Sequence, residues 1–163
     1  MVVAHGAKGI ENTRTKNVNH MEKLMSTKDL NINKLRDNWE YKEDRNGEWK
    51  VLTPDRDGMY RGDCEDFALT ALFLICGGSW KKFWKELIFG DAKIQRVKSP
   101  SGVTHAILEF RGIFIDNWAK QWQTKRELKN LGYEFYTNKH YWFTAVHKLY
   151  PKESVVALLA LVA

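Results

Sequence analysis

With 163 residues, 44% of them apolar and 13% aromatic, the chain has the material for one domain with a real core, which excludes a disordered class. Its 26 basic and 20 acidic residues leave a formal charge of +6, but the cations are scattered over Lys81-Lys82, Arg96 to Lys98 and Lys125-Arg126. That spread predicts a solvated basic surface and no nucleic-acid partner.

Met1 to Asn19 holds no apolar run long enough for a signal peptide and no window approaches a membrane span, so the expected site of action is the cytoplasm. Residues up to about 20 are polar and contain glycine, and are expected to form an extended arm on a single domain spanning 1–163. Met21, Leu24, Met25, Leu30, Ile32 and Leu35 make a broken helical pattern, one or two short helices. Residues 39–62, rich in Asp, Gly and Pro, are expected to be a long irregular loop.

Asp63 then stands as an N-cap, Cys64, Glu65 and Asp66 occupy a first helical turn, and the apolar run from Ala68 to Ile75 predicts a buried central helix. Gly77-Gly78 stops it, and the run from Trp80 to Leu87 predicts a second, amphipathic helix with its aromatics inward. Strands are expected at 92–98, 103–110 and 113–118, a helix at 124–131, and strands at 133–136 and 141–149. The pattern is α+β. The apolar end, Val155 to Ala163, is too short to cross a bilayer and is expected to dock as a terminal strand or helix.

Cys64 and Cys76 are the only cysteines. A continuous helix would hold their Cα atoms about 18 Å apart, whereas a disulfide needs under roughly 7 Å, so both thiols are expected to be free. Cys76 fits a small buried hydrophobe. The hairpin around Arg111-Gly112 brings further chemistry. A two-residue loop there sets Phe110 opposite Ile113 and Asp116 opposite Ile107, diagonal to His105 and on its face of the sheet. A three-residue loop would put His105 and Asp116 on opposite faces.

Singly, a cysteine at a helix start and a histidine on a half-buried strand have ordinary structural explanations. Combined, Cys64, His105 and Asp116 supply a nucleophile, a base that removes its proton, and a carboxylate that fixes the imidazole's tautomer. His5, His20, His140 and His147 lack a comparable acidic partner and are expected to be structural or surface residues.

The order Trp39-Glu-Tyr41-Lys-Glu-Asp44, Trp49, Thr53-Pro54, Gly62-Asp63-Cys64-Glu65-Asp66-Phe67-Ala68, His105-Ala106 and Ile115-Asp116-Asn117 resembles the bacterial transglutaminase-like cysteine proteinases, within the transglutaminase and papain-like group, over about residues 30–120. The resemblance implies a papain-like core with the cysteine helix on an antiparallel sheet, Cys64 as nucleophile, His105 as base and Asp116 as orienting acid. Compact intracellular or phage-encoded members would fit this length. Past Trp118 the chain departs from the pattern, so the substrate is open.

The acids beside Cys64 oppose its ionisation: a unit charge about 6 Å away costs roughly 3 kcal/mol at an effective dielectric of about 20. A helix N-terminus returns only about 0.3–1 kcal/mol at exposed sites and up to about 2 when partly buried. Asp63, Glu65 and Asp66 therefore need partners, among which capping bonds, Arg61 and protonated His105 are candidates. The resemblance also implies calcium ligands at Asp63 and Glu65, to be joined by other oxygens such as those of Asp55 and Asp57, against the alternative of plain N-capping. The Cys64 N–H is the first oxyanion donor, and Trp49 and Tyr60 are candidates for the second unless they serve only packing. Trp118 would shield the imidazole or pack in the core.

The expected activity is a cysteine hydrolase of amide bonds, a peptidase acting on protein or peptide through a thioester and requiring no cofactor for the chemistry. The alternatives are a transglutaminase or deamidase-type acyltransferase on glutamine side chains and a non-catalytic binding module.

Overall fold

The computed structural model describes residues 31–43, 47–136 and 141–149, with only the backbone of 141–143. The expected N-terminal arm, the apolar tail and most of the first helical pattern lie outside these residues. Residues 31–37 are helical (α1), and Ile32 and Leu35, three apart on one face, are buried.

The described residues of 42–59 hold no helix or strand, as the composition of the stretch 39–62 suggests, but its two ends are strands. It begins and ends in a parallel pair, β1 (Trp39–Tyr41) and β2 (Tyr60–Gly62), with Trp39 opposite Tyr60 and Tyr41 opposite Gly62. Three-residue strands are too short to show a period, and a parallel pair needs a long crossover, so the signal drowns in the connection. Gly62 permits a close approach to the next helix: a Cβ there would lie 2.5 Å from Asp66 Oδ2 and 2.8 Å from Leu52 Cδ1.

Helix α2 (Cys64–Ile75) follows directly, capped by Asp63 and buried from Asp66 to Leu72 and again at Ile75. Beyond Cys76, Gly77 and Gly78 take φ of 68° and 72°, which ends the helix. Helix α3 (Trp80–Phe89) buries Phe83, Trp84 and Leu87, and Trp80 and Phe83 pack on Phe73 of α2.

The remaining strands are β3 (Ala92–Lys98), β4 (Thr104–Phe110), β5 (Ile113–Ile115), β6 (Gln123–Thr124) and β7 (Glu134–Phe135). They form an antiparallel sheet in the order β6-β5-β4-β3-β7. The β4–β5 hairpin has the two-residue loop and the expected register, Phe110 opposite Ile113 and Leu108 opposite Ile115. Arg111 and Gly112 both take positive φ, 52° and 80°, the geometry whose twist matches the flanking strands. Strand β5 is shorter than expected. Asp116 Oδ1 accepts the N–H groups of Trp118 (3.1 Å) and Ala119 (2.7 Å), and this side-chain turn ends the strand.

Each face of the sheet has its own apolar cluster. Ile94, Ala106, Leu108 and Ile115 pack with α2 in the larger one, while Val97, Ile107 and Phe114 pack with Tyr133 and Leu128 of α4 (Lys125–Asn130) on the other. The expected strand at 141–149 is instead α5 (Tyr141–Leu149), which packs on β3. Ala145, Val146 and Leu149 join the larger cluster and His147 and Lys148 are exposed, a helical spacing that outweighs the segment's β-rich composition. The class is α+β. Among the described residues no helix is long and apolar enough to cross a membrane.

Candidate active site

The start of α2 assigns each acid a partner. Asp63 Oδ1 accepts the N–H groups of Glu65 and Asp66, both at 3.1 Å, as an N-cap should. Asp66, only 2% exposed, takes the Lys50 N–H at 2.7 Å, and Thr70 takes that of Leu52 at 2.9 Å, so α2 holds the 50–52 segment alongside itself. Glu65 is turned to the cysteine: the Cys64 thiol donates to Glu65 Oε2 at 2.8 Å.

The other half of the site comes from the end of β4. In a hairpin closed at Phe110 and Ile113, the N–H groups of Phe110, Leu108 and Ala106 point toward β5. Because β5 stops opposite Leu108, the Ala106 N–H has no strand partner among the described residues, and it is close enough to Cys64 to favour the thiolate. The thiol therefore lies by the gap that β5 leaves, near the residue that follows His105.

His105 and Asp116 are each 2% exposed, and His105 Nε2 donates to Asp116 Oδ2 at 3.2 Å. Tyr133 donates its hydroxyl to the same oxygen at 3.1 Å. With the two backbone bonds to Oδ1, the carboxylate receives four donors. Trp118, 46% exposed, stacks on the imidazole at 4.0 Å between centroids and 10° between planes, covering its outer side. Since Asp116 takes Nε2, Nδ1 is the ring nitrogen left to serve a thiol.

Electrostatics set the resting protonation. Burial, followed by the hydrogen bond and charge of Glu65, pushes the Cys64 thiol up to about 12, with the Ala106 N–H pulling the other way and Asp63 adding to the rise. The resting sulfur is thus a neutral thiol that donates to Glu65. Burial alone would raise Asp116, but its bonds from His105, Ala119 and Tyr133 outweigh that and hold it below the usual carboxylate range. Tyr41, 57% exposed, is raised by burial of its hydroxyl and then by Cys64, Glu43, Asp63 and Glu65, which places it at the same acidic mouth.

Protein donors already engage one oxygen of each acid that the resemblance offers to calcium. Asp63 Oδ1 is used by the cap and Glu65 by the thiol. Asp55 Oδ1 accepts from Asp57 N (2.9 Å) and Met59 N (3.0 Å), while its Oδ2 pairs with Arg61. Among the described residues no three His, Cys, Asp or Glu side chains are grouped to hold a metal, whereas calcium takes six to eight oxygens. Trp49 and Tyr60, candidates for the second oxyanion donor, both lie in the larger apolar cluster at 8% exposure. Neither Cys64 nor Cys76 is in a disulfide, and Cys76 is buried in that cluster.

Three features of the site were missed in the sequence. The edge N–H of Ala106 depends on where β5 ends, and the Glu65 contact on a rotamer, so neither has a sequence signal. Tyr133 does have one: Leu128, Leu131 and Gly132 before it spell a helix stop that returns the chain toward the sheet. Comparison with protein-family models, curated proteins and solved structures finds no match.

Proposed function

We propose that the chain is a cysteine hydrolase of amide bonds, first of all a peptidase acting on protein or peptide in the cytoplasm, built on a transglutaminase-like variant of the papain core. The observation that carries this reading is the buried His105–Asp116 pair, its carboxylate fully bonded, set next to a thiol at a helix N-terminus. A histidine that only filled the core would not need such a carboxylate beside a nucleophile.

In the proposed reaction the thiol leaves Glu65 and gives its proton to His105 as the sulfur attacks the substrate carbonyl carbon. Asp116 stabilises the imidazolium, and the Cys64 N–H at the helix start faces the developing oxyanion. The imidazolium protonates the departing amine, leaving a thioester on Cys64. Water, deprotonated by the same imidazole, then releases the acid and restores the thiol.

The test compares cell-lysate proteins incubated with wild type, Cys64→Ala and His105→Ala, followed by labelling of new amino termini and, in parallel, of incorporated biotinylated amine. New termini that require both residues are expected. Amine uptake without new termini would transfer the site to glutamine acyl transfer, and the absence of both products would leave a binding module.

A further inference from the structure

We infer that Tyr133 is a positioning residue of this site, its hydroxyl fixing the carboxylate oxygen that orients His105. The inference rests on the hydrolase reading and concerns a residue outside the Cys64, His105 and Asp116 set. Asp116 follows the last residue of a strand, where the ladder no longer holds the backbone, so its carboxylate must be held by its own hydrogen bonds. Two backbone donors fix Oδ1, while Oδ2 receives, among the described residues, the imidazole and Tyr133. Without the phenol, the oxygen that faces His105 would keep one of these two donors.

The local fold delivers Tyr133 to this point. Helix α4 ends at Asn130 with Leu131 as its C-cap, Gly132 takes φ of 91°, the Tyr133 N–H bonds Leu128 O at 3.0 Å and the Gly132 N–H bonds Lys129 O at 3.0 Å. This is the left-handed helix stop in which the residue after glycine folds back on the last turn. Tyr133 accordingly packs with Leu128 in the cluster on the His105 face of the sheet, only 8% exposed, and its tip reaches Asp116. Burial and then the charge of Asp116 keep the phenol protonated, so it acts only as a donor. The titratable neighbours of the pair are Tyr133 itself and, beside Ala106, Cys64 with its partner Glu65.

A phenol shared with the imidazole weakens Oδ2 as an acceptor, so its removal should strengthen the His105 bond and stabilise imidazolium. The experiment follows the His105 Cε1–H resonance through pH in a Cys64→Ala background, with and without Tyr133→Phe, circular dichroism verifying the fold. The His105 midpoint is expected to rise by about half a unit, roughly threefold in the ionisation constant. With Cys64 restored, kcat on a peptide found in the lysate experiment is expected to fall about tenfold at unchanged KM, with its acid limb displaced upward. An unmoved midpoint together with wild-type kcat would reduce Tyr133 to packing. If Tyr133→Phe loses the fold, fluorotyrosine at position 133, a stronger donor of nearly the same shape, must lower the midpoint, and no change overturns the inference. A shifted midpoint in a protein without turnover supports the Tyr133 role and sinks the hydrolase reading instead.

Discussion

At Cys64 the proposed chemistry and the neighbourhood make opposite demands, and Glu65 is where they meet. A carboxylate that accepts the thiol proton at 2.8 Å stabilises the form that cannot attack. Replacing it by an amide of the same shape removes the charge while keeping an acceptor. Glu65→Gln is therefore expected to accelerate alkylation of Cys64 by iodoacetamide at pH 8 by about tenfold, the effect of about one pKa unit. A rate equal to wild type would show that burial alone holds the proton. The conflict was legible from four letters, Asp-Cys-Glu-Asp, because charge at short range needs no fold to be recognised. Its resolution was not: Asp63 as cap, Asp66 as anchor for the 50–52 segment and Glu65 as thiol acceptor differ only by rotamer and by what approaches them.

Among the elements, those with a strong local grammar could be read from the sequence. Helix α2, strand β3 and the β4–β5 register follow from a cap, an alternation and an Arg-Gly turn that accepts positive φ, and the diagonal approach of His105 and Asp116 followed from that register. The elements that were missed depend on partners distant in sequence: β1 exists because β2 lies beside it, and α5 because its Ala145 and Val146 face finds the larger cluster. The end of α4 connects an element to the chemistry. Alanine at Gly132 would have to hold φ of 91°, at a cost of about 1–2 kcal/mol. Gly132→Ala should therefore lower stability by that amount in denaturant unfolding and raise the His105 midpoint as Tyr133→Phe does. A loss of stability with an unchanged midpoint would separate the turn from the site.

For the whole molecule, the site is where the two faces of the sheet communicate. His105, Asp116 and Tyr133 belong to the smaller-cluster side and Cys64 to the α2 side, and Lys120 Nζ donates to Trp39 O at 3.3 Å, tying the loop after Asp116 to β1. Folding is thereby linked to protons at both ends of the pH scale. Asp116 is held below its ordinary 3.8, so its contribution is present above about pH 4 and is lost as pH falls through the folded value. Cys64 is raised from 9.0 to about 12, so its contribution is present below about pH 9 and is lost as pH climbs toward 12. Melting temperature should therefore fall on both sides of this window. Cys64→Ala should flatten only the alkaline fall and Asp116→Asn only the acid one, and an unchanged alkaline slope in Cys64→Ala would contradict the raised thiol.

The early end of β5 also constrains how this protein can be improved. Where a longer strand would have added another pair of ladder bonds beside Ala106, the chain turns away and leaves room for sulfur. Selection for heat resistance alone would favour closing that opening, since extending β5 completes the ladder and removes an exposed edge. Any such variant would become a sturdier sheet with the Cys64 thiol shut out, so robustness and the proposed chemistry compete here for the same few ångströms of backbone.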